Sequence, residues 1–282
     1  MTYFYFGIHK AASTWLIQIL YDLSDLLNIN HKHYHSAKMF NHNIENEIAI
    51  NNLDFFSYTN AEYNSVKKLN RSFKGFHVIR DPRDIVVSSY FSHLKTHSDY
   101  MWPELNEYRA ELKSLNFEEG IQATMRHLDD MMIDGEPVKI FDSLNNWNYD
   151  NENIFETRFE DLTKNPYIFL PKIFIFLGLL DKRSTLPHTL TKKEILNELI
   201  FNINSNKKRD LNFGLLMSLI YKHDFYFKTK GRFKGELNEN SHYRKGEVGD
   251  WQNYFTKKNI NYFKDNYGEL LIKLGYENNN NW

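Results

Sequence analysis

Three stretches carry residue types and spacings that could do chemistry. The first is "TYFYFGIHKAASTWLIQIL" at residues 2–20, where an aromatic run ends at Gly7, a lysine follows, and a helical pattern starts at hydroxyl residues. Such a strand–loop–helix junction aims the free N–H groups of a helix start into a crevice, where they and the helix dipole bind phosphate. Ala11 and Ala12 are small enough to let an anion reach the backbone, Ser13 and Thr14 add hydroxyl donors, and Lys10 adds a point charge. Alone, the stretch reads equally as a plain turn with Ser13 as N-cap. The second is "VIRDPRDIVVSSYFSH" at 78–93, with Arg80 at the end of a strand and Ser88 and Ser89 on the next helix. A bidentate arginine with a serine hydroxyl suits a terminal phosphate, and a capped helix with an ordinary salt bridge explains the same residues. The third is "SHYRKGEVGDWQNYF" at 241–255, a tight basic loop in which Arg244 and Lys245 precede Gly246 and Gly249, before Asp250 and Trp251 open a helix. A charged surface loop is its simpler reading.

These residues need elements to hold them. Tyr3–Gly7 reads as a short buried strand by length and flanks. The apolar positions Trp15, Leu16, Ile19, Leu20, Leu23, Leu26 and Leu27 recur at helical spacing, with one buried stripe. "GFHVIR" (75–80) is a second strand and runs into a helix start with Asp81 as N-cap, Pro82 at the first helical position and Asp84 at the third. "NIFETRF" (153–159) predicts another strand and "PYIFLPKIFIFLGL" another helix. Strands alternating with helices predict an α/β fold, a central parallel β-sheet flanked by helices. Residues 181–240 are more polar, and suit helices that cap a site. The Asn-rich end "YENNNNW" reads as a frayed terminus.

Composition narrows the partners. With 282 residues, 41% hydrophobic and 25% charged, the chain is long enough for one large core. A formal net charge of −1 gives no global attraction to nucleic acid or an acidic membrane, so any anion site is local. The absence of cysteine excludes disulfides, thiolate metal sites and a cysteine nucleophile. No signal peptide is evident, and no apolar run reaches the ~18–20 residues of a membrane span, so a cytoplasmic enzyme or binding protein is expected.

Taken together, the three constellations resemble the PAPS-dependent sulfotransferases, PAPS being 3′-phosphoadenosine 5′-phosphosulfate. The family's phosphosulfate loop reads like P-K-S-G-T-T-W-L, and "HKAASTWL" stands in its place at the same junction. Its second motif, an arginine at a strand end followed by a serine on the next helix, is matched by "IRDPRDIVVSSY", and its third, R-K-G-x-x-G-D-W, is present letter for letter at 244–251. "RFEDLTKNP" (158–166) resembles the stretch near the adenine, and the likeness spans Tyr3 to Phe255.

The resemblance implies one sulfotransferase domain over residues 1–282, with a P-loop-like sulfotransferase fold. It implies sulfuryl transfer from PAPS to a hydroxyl or amine, with release of PAP (adenosine 3′,5′-bisphosphate) and without a metal. Lys10, Ala11, Ala12, Ser13 and Thr14 would hold the 5′-phosphosulfate, with Lys10 also stabilising charge on the leaving oxygen. Arg80, Ser88, Arg244, Lys245 and Gly246 would hold the 3′-phosphate. Trp15, Phe159 and Phe225 are candidates beside the loop and the adenine. Lys228, Lys230, Arg232 and Lys234 would enrich a cap with positive charge.

The base is where the chain departs from the pattern. Asn60, in "FSYTNAEY", stands near the family's catalytic histidine position; Glu62, His33, His35, His93 and His97 are the other candidates, with His93 the leading one to touch the acceptor. The expected acceptor is a small molecule, lipid or carbohydrate, and neither its identity nor the oligomeric state is legible. A non-catalytic PAPS/PAP-binding module is the main alternative. A P-loop kinase is disfavoured, because Lys10 precedes the small residues, the second Gly of G-x-x-x-x-G-K-[ST] is missing and no acidic metal site follows.

Overall fold

A computed structural model describes residues 1–100, 102–180 and 211–282. Its centre is a five-stranded, wholly parallel sheet in the order β2-β3-β1-β4-β7. The strands are β1 (Thr2–Gly7), β2 (His31–Tyr34), β3 (Phe55–Thr59), β4 (Phe73–Ile79) and β7 (Ile154–Arg158); β5 (Met131–Ile133) and β6 (Glu136–Val138) form a separate antiparallel hairpin. The helices are α1 (Ser13–Leu27), α2 (Ile44–Asn51), α3 (Tyr63–Val66), α4 (Pro82–Phe91), α5 (Leu105–Ser114), α6 (Phe117–Asp130), α7 (Ile140–Asn146), α8 (Phe159–Lys164) and α9 (Pro166–Leu177), followed by Phe213–Lys222, Phe225–Lys228 and the C-terminal helix Lys257–Lys273.

Side chains of β1 alternate between two cores, as a strand buried on both faces requires. Tyr5 stacks on Phe76 at 4.8 Å and joins Leu16, Leu20 and Leu23 of α1 on one face. Phe4 and Phe6 face the other way, onto Phe56, Phe40 and Trp147. From β1 the chain moves one way to the edge strand β2, returns to β3 beside β1, and then passes β1 to β4 and on to β7. The connections therefore diverge between β1 and β4, and the carboxyl ends of these neighbouring strands open a crevice. The register sets Gly7 beside Val78, so the loop Ile8–Ala12 and the strand end at Arg80 emerge together.

The expected α4 cap is present: Asp81 accepts from the backbone N–H of Arg83, and Pro82 opens the helix. Ser13 is not the N-cap of α1. That position belongs to Ala12, in the left-handed region at φ 66° with no side-chain cap, so the helix start keeps free donors. The strand predicted over 153–159 ends one residue early, because Phe159 already begins α8.

The chain end is not frayed. Arg83 pairs with Glu277 at 2.6 Å, and its guanidinium lies 4.0 Å from the Trp251 ring and 4.5 Å from Trp282. Trp251 and Trp282 meet edge to face at 5.4 Å, so an aromatic residue after four asparagines anchors the tail. The cap expected over 181–240 lies outside the described residues up to 210. From 211 it begins with the helix Phe213–Lys222. No helix among the described residues is long and apolar enough to cross a membrane.

Candidate active site

The crevice is a cleft of about 600 Å³, lined by residues of all three sequence constellations. The first loop contributes Lys10, Ala12, Ser13, Thr14 and Trp15, and Ala11 is wholly buried beneath it. Lys10 and Ala12 both adopt positive φ, 61° and 66°, a conformation that costs non-glycine residues about 1–2 kcal/mol each. The carbonyl of Lys10 accepts from Arg80 Nη1 at 2.9 Å, which ties the loop to the end of β4. Trp15 donates its indole N–H to the His223 carbonyl at 2.8 Å, and Thr14 Oγ1 meets His242 Nε2 at 2.8 Å, fastening the loop to the later part of the chain.

The Lys10 ammonium makes no hydrogen bond or ion pair among the described residues. Burial, then the charges of Arg80 and Arg244, push its pKa down to about 7. Arg80 is buried, lies 4.2 Å over the Phe159 ring, and holds its Nε without a partner among the described residues. Three cations thus converge: Arg80 has Asp84 at 3.9 Å and Arg244 has Asp250 as a partner, whereas Lys10 has no carboxylate partner among the described residues, and the Arg80 Nε is aimed at no protein acceptor there. An anion fits this donor set.

The third loop is organised by two aspartates whose sequence signal was that of helix caps. Asp84, almost wholly buried on α4, accepts from the backbone N–H groups of Gly249 at 2.7 Å and Trp251 at 2.9 Å. Asp250 pairs with Arg244 and, at 2.8 Å, with Lys245. Arg244 also donates to the Tyr254 hydroxyl at 3.0 Å and lies over the Phe91 ring. Gly246 has φ 69°, and a Cβ there would come within 2.6 Å of the Phe225 ring, so only glycine allows that contact. Arg232 does not line the cleft. It donates to the carbonyls of Glu236, Tyr243 and Arg244 and so shapes the loop from behind. Ser88, Phe159, Phe225, Arg244, Lys245 and Gly246 all reach the cleft.

The histidines are arranged differently from the sequence expectation. His93 does not line the cleft: it is wholly buried on a π-helical turn, Ser92–Thr96, that continues α4. His9, adjacent to Lys10, takes the lining position. The sequence signal for it was the first residue of "HKAASTWL", where the resemblance supplies proline. His33, His35, His97, His242 and Asn60 also line the cleft, whereas Glu62 faces a separate depression beside Lys139 and Asp142. Burial first, then the Lys10 charge, hold His97 and His242 down to about 4. Among the described residues no cluster of His, Cys, Asp or Glu is arranged to hold a metal ion.

The decisive comparison concerns the whole chain. A family model described as "Sulfotransferase domain" matches residues 4–275. The chain belongs to the sulfotransferase domain family. Among solved structures, a mouse sulfotransferase, SULT7A1, complexed with PAP is similar with a TM-score of 0.56 at 17% identity, covering 96% of this chain and 84% of that one. A retinol dehydratase in complex with androsterone and the inactive cofactor PAP gives a TM-score of 0.51 at 14% identity, covering 95% and 80%. At such identities the likeness is one of fold. No curated protein matches the sequence.

Proposed function

We propose that the protein transfers a sulfuryl group from PAPS to a hydroxyl or amine and releases PAP. The observation that carries this is the convergence of Lys10, Arg80, Arg244 and Lys245 on one cleft at the start of α1. PAPS would supply the activated sulfuryl group. The first loop and the free N–H groups of α1 would cradle its 5′-phosphosulfate, and Lys10 would meet the negative charge that grows on the bridging oxygen. Arg244 and Lys245, preset by Asp250, would hold the 3′-phosphate with Ser88 and the backbone of Gly246. Arg80 would bridge the two phosphate sites, since it binds the Lys10 carbonyl on one side. Phe225 and Phe159 offer flat apolar faces for the adenine.

Imidazoles, hydroxyls, Asn60 and Trp102 line the remainder of the cleft, which suits an uncharged acceptor bearing a hydroxyl. The similar structure crystallised with androsterone supports a lipid or small-molecule acceptor over a macromolecular one. The test is transfer of labelled sulfate from PAPS to a panel that includes 2-naphthol, a sterol, a retinoid and a simple sugar. Labelled product from any of them supports the reading. Tight PAP binding without transfer to any acceptor favours the non-catalytic binding module instead.

A further inference from the structure

We propose that His9 takes the acceptor's proton, and that His93 is the buried positioning residue that presents His9 in the form able to do so. The proposal rests on the sulfotransferase reading above.

The two rings are 84 residues apart in sequence and meet with Nε2 of one 2.8 Å from Nε2 of the other. At that separation two N–H groups would collide and two lone pairs would repel, so one nitrogen donates and the other accepts. When His9 Nε2 carries the proton, His9 Nδ1 carries a lone pair. Nδ1 makes no hydrogen bond among the described residues, and His9 lines the cleft beside Lys10. The other lining imidazoles also bond through one nitrogen each, but to other partners: His33 with Thr59 at 3.0 Å, His35 with Asp134 at 3.1 Å, His97 with the Ser98 carbonyl at 2.9 Å, His242 with Thr14 at 2.8 Å and His223 with Asp22 at 2.7 Å; His9 alone among them is next to Lys10 in the chain. Asn60, near the expected base position, has no group that titrates and donates its amide to the His35 carbonyl at 2.9 Å.

His93 is built to stay where it is. Its ring lies edge to face with Trp102 at 4.9 Å and with Tyr108 at 5.7 Å. Arg109 donates to the carbonyls of His93 and His97, both at 2.8 Å, and so locks the π-helical turn. A partner this fixed holds His9 in one orientation; the His93 Nδ1 has no partner among the described residues, so the tautomer of the pair is what the experiment reads.

The step balances without any further reactant. The acceptor oxygen bonds to sulfur as its proton moves to His9 Nδ1. The bond from sulfur to the 5′-phosphate oxygen breaks, and its electron pair stays on that oxygen, next to Lys10. The proton on His9 Nε2 is then shared with His93, which spreads the new positive charge away from Lys10. Lys10, His97, His127 and His242 all disfavour charge on His9 in the free protein, behind burial as the first cause, and Lys10, His9, His97 and His127 do so for His93. The phosphates of a bound cofactor oppose that effect, so the base gains strength only once the donor is in place.

The test is nitrogen-15 NMR of histidine-labelled protein with and without PAP, joined to kinetics with PAPS and 2-naphthol. Expected in the PAP complex are His9 protonated at Nε2, His93 protonated at Nδ1, and a higher His9 pKa than in the free protein. His9→Gln should keep PAP affinity within about threefold while transfer falls ~100-fold or more. His93→Phe should release the His9 tautomer and displace the pH–rate profile. His9 protonated at Nδ1 in the PAP complex, or a parent-like rate in His9→Gln, overturns the assignment of His9 alone. Failure of the parent to bind PAP, or to transfer sulfate to any acceptor of the panel above, overturns the sulfotransferase reading with it.

Discussion

Binding of PAP at pH 8 should draw in close to one proton, and Lys10 should be its destination. In the free protein burial and the Arg80 and Arg244 charges hold Lys10 at a pKa of about 7, so at pH 8 roughly one-tenth of it is charged. A phosphate charge about 4 Å from the ammonium, at an effective dielectric of about 20, favours the charged form by about 4 kcal/mol. That is roughly three pKa units, enough to carry Lys10 past 9. The sign follows: because the bound form holds the proton more tightly, PAP affinity falls as pH rises above 7, by up to about tenfold per unit until the bound pKa is reached. His33, His97 and His242 in the cleft titrate too low to contribute at pH 8, and the phosphates of PAP are already ionised there. Calorimetry in HEPES and in Tris, which differ in ionisation enthalpy, should give an uptake of about 0.9 proton. The Lys10→Met variant should give close to none. An uptake near zero in the parent, or one unchanged in the variant, would refute the reasoning.

Three further outcomes follow from the same geometry. Lys10→Ala should lower kcat ~10²–10³-fold, far more than it weakens PAPS binding, because part of its charge partner develops only in the transition state, and should weaken PAP more than PAPS, since that charge is complete in PAP; single-turnover rates and calorimetry separate the two. Asp84→Asn can accept only one of the N–H groups of Gly249 and Trp251 as a carboxylate does, so thermal unfolding should show a loss of about 1.5–3 kcal/mol with weaker PAP binding, and a wild-type melting curve would count against the clamp. Removal of residues 277–282 takes away the Glu277 and Trp282 contacts to Arg83 and Trp251; it should lower both thermal stability and PAP affinity, whereas a silent truncation would mean that the tail plays no part in holding the third loop.

Three of the five strands of the sheet (β1, β4 and β7) and helices α1, α4 and α9 were legible because their signals are local, whereas β2 and β3 were not named. Aromatic runs bounded by glycine or a cap give β1 and β4, and Asp81-Pro82 marks the start of α4. The three loops were legible because holding phosphate demands cations, small residues and a helix start in short compass. What escaped was the pairing across distance. Asp84 and Asp250 look like helix-capping aspartates in sequence, yet one clamps the third loop and the other presets its cations. His93 drew attention by its place after the serine helix, but the π-helical turn buries its ring and leaves His9 at the surface of the cleft. The tail misled because four asparagines outweigh one tryptophan in composition, whereas the tryptophan decides the packing.

The measurement that bears most directly on the central claim is the affinity of the parent and of Arg244→Ala for PAP and for AMP. The 3′-phosphate is the difference between the two ligands, and the cations preset by Asp250 are the groups assigned to it. Charge-assisted hydrogen bonds contribute about 1.5–3 kcal/mol each, so the parent should bind PAP at least about tenfold more tightly than AMP. Arg244→Ala should erase most of that preference while leaving AMP nearly unchanged. Equal affinities for PAP and AMP in the parent, or equal losses for both in the variant, would contradict the account.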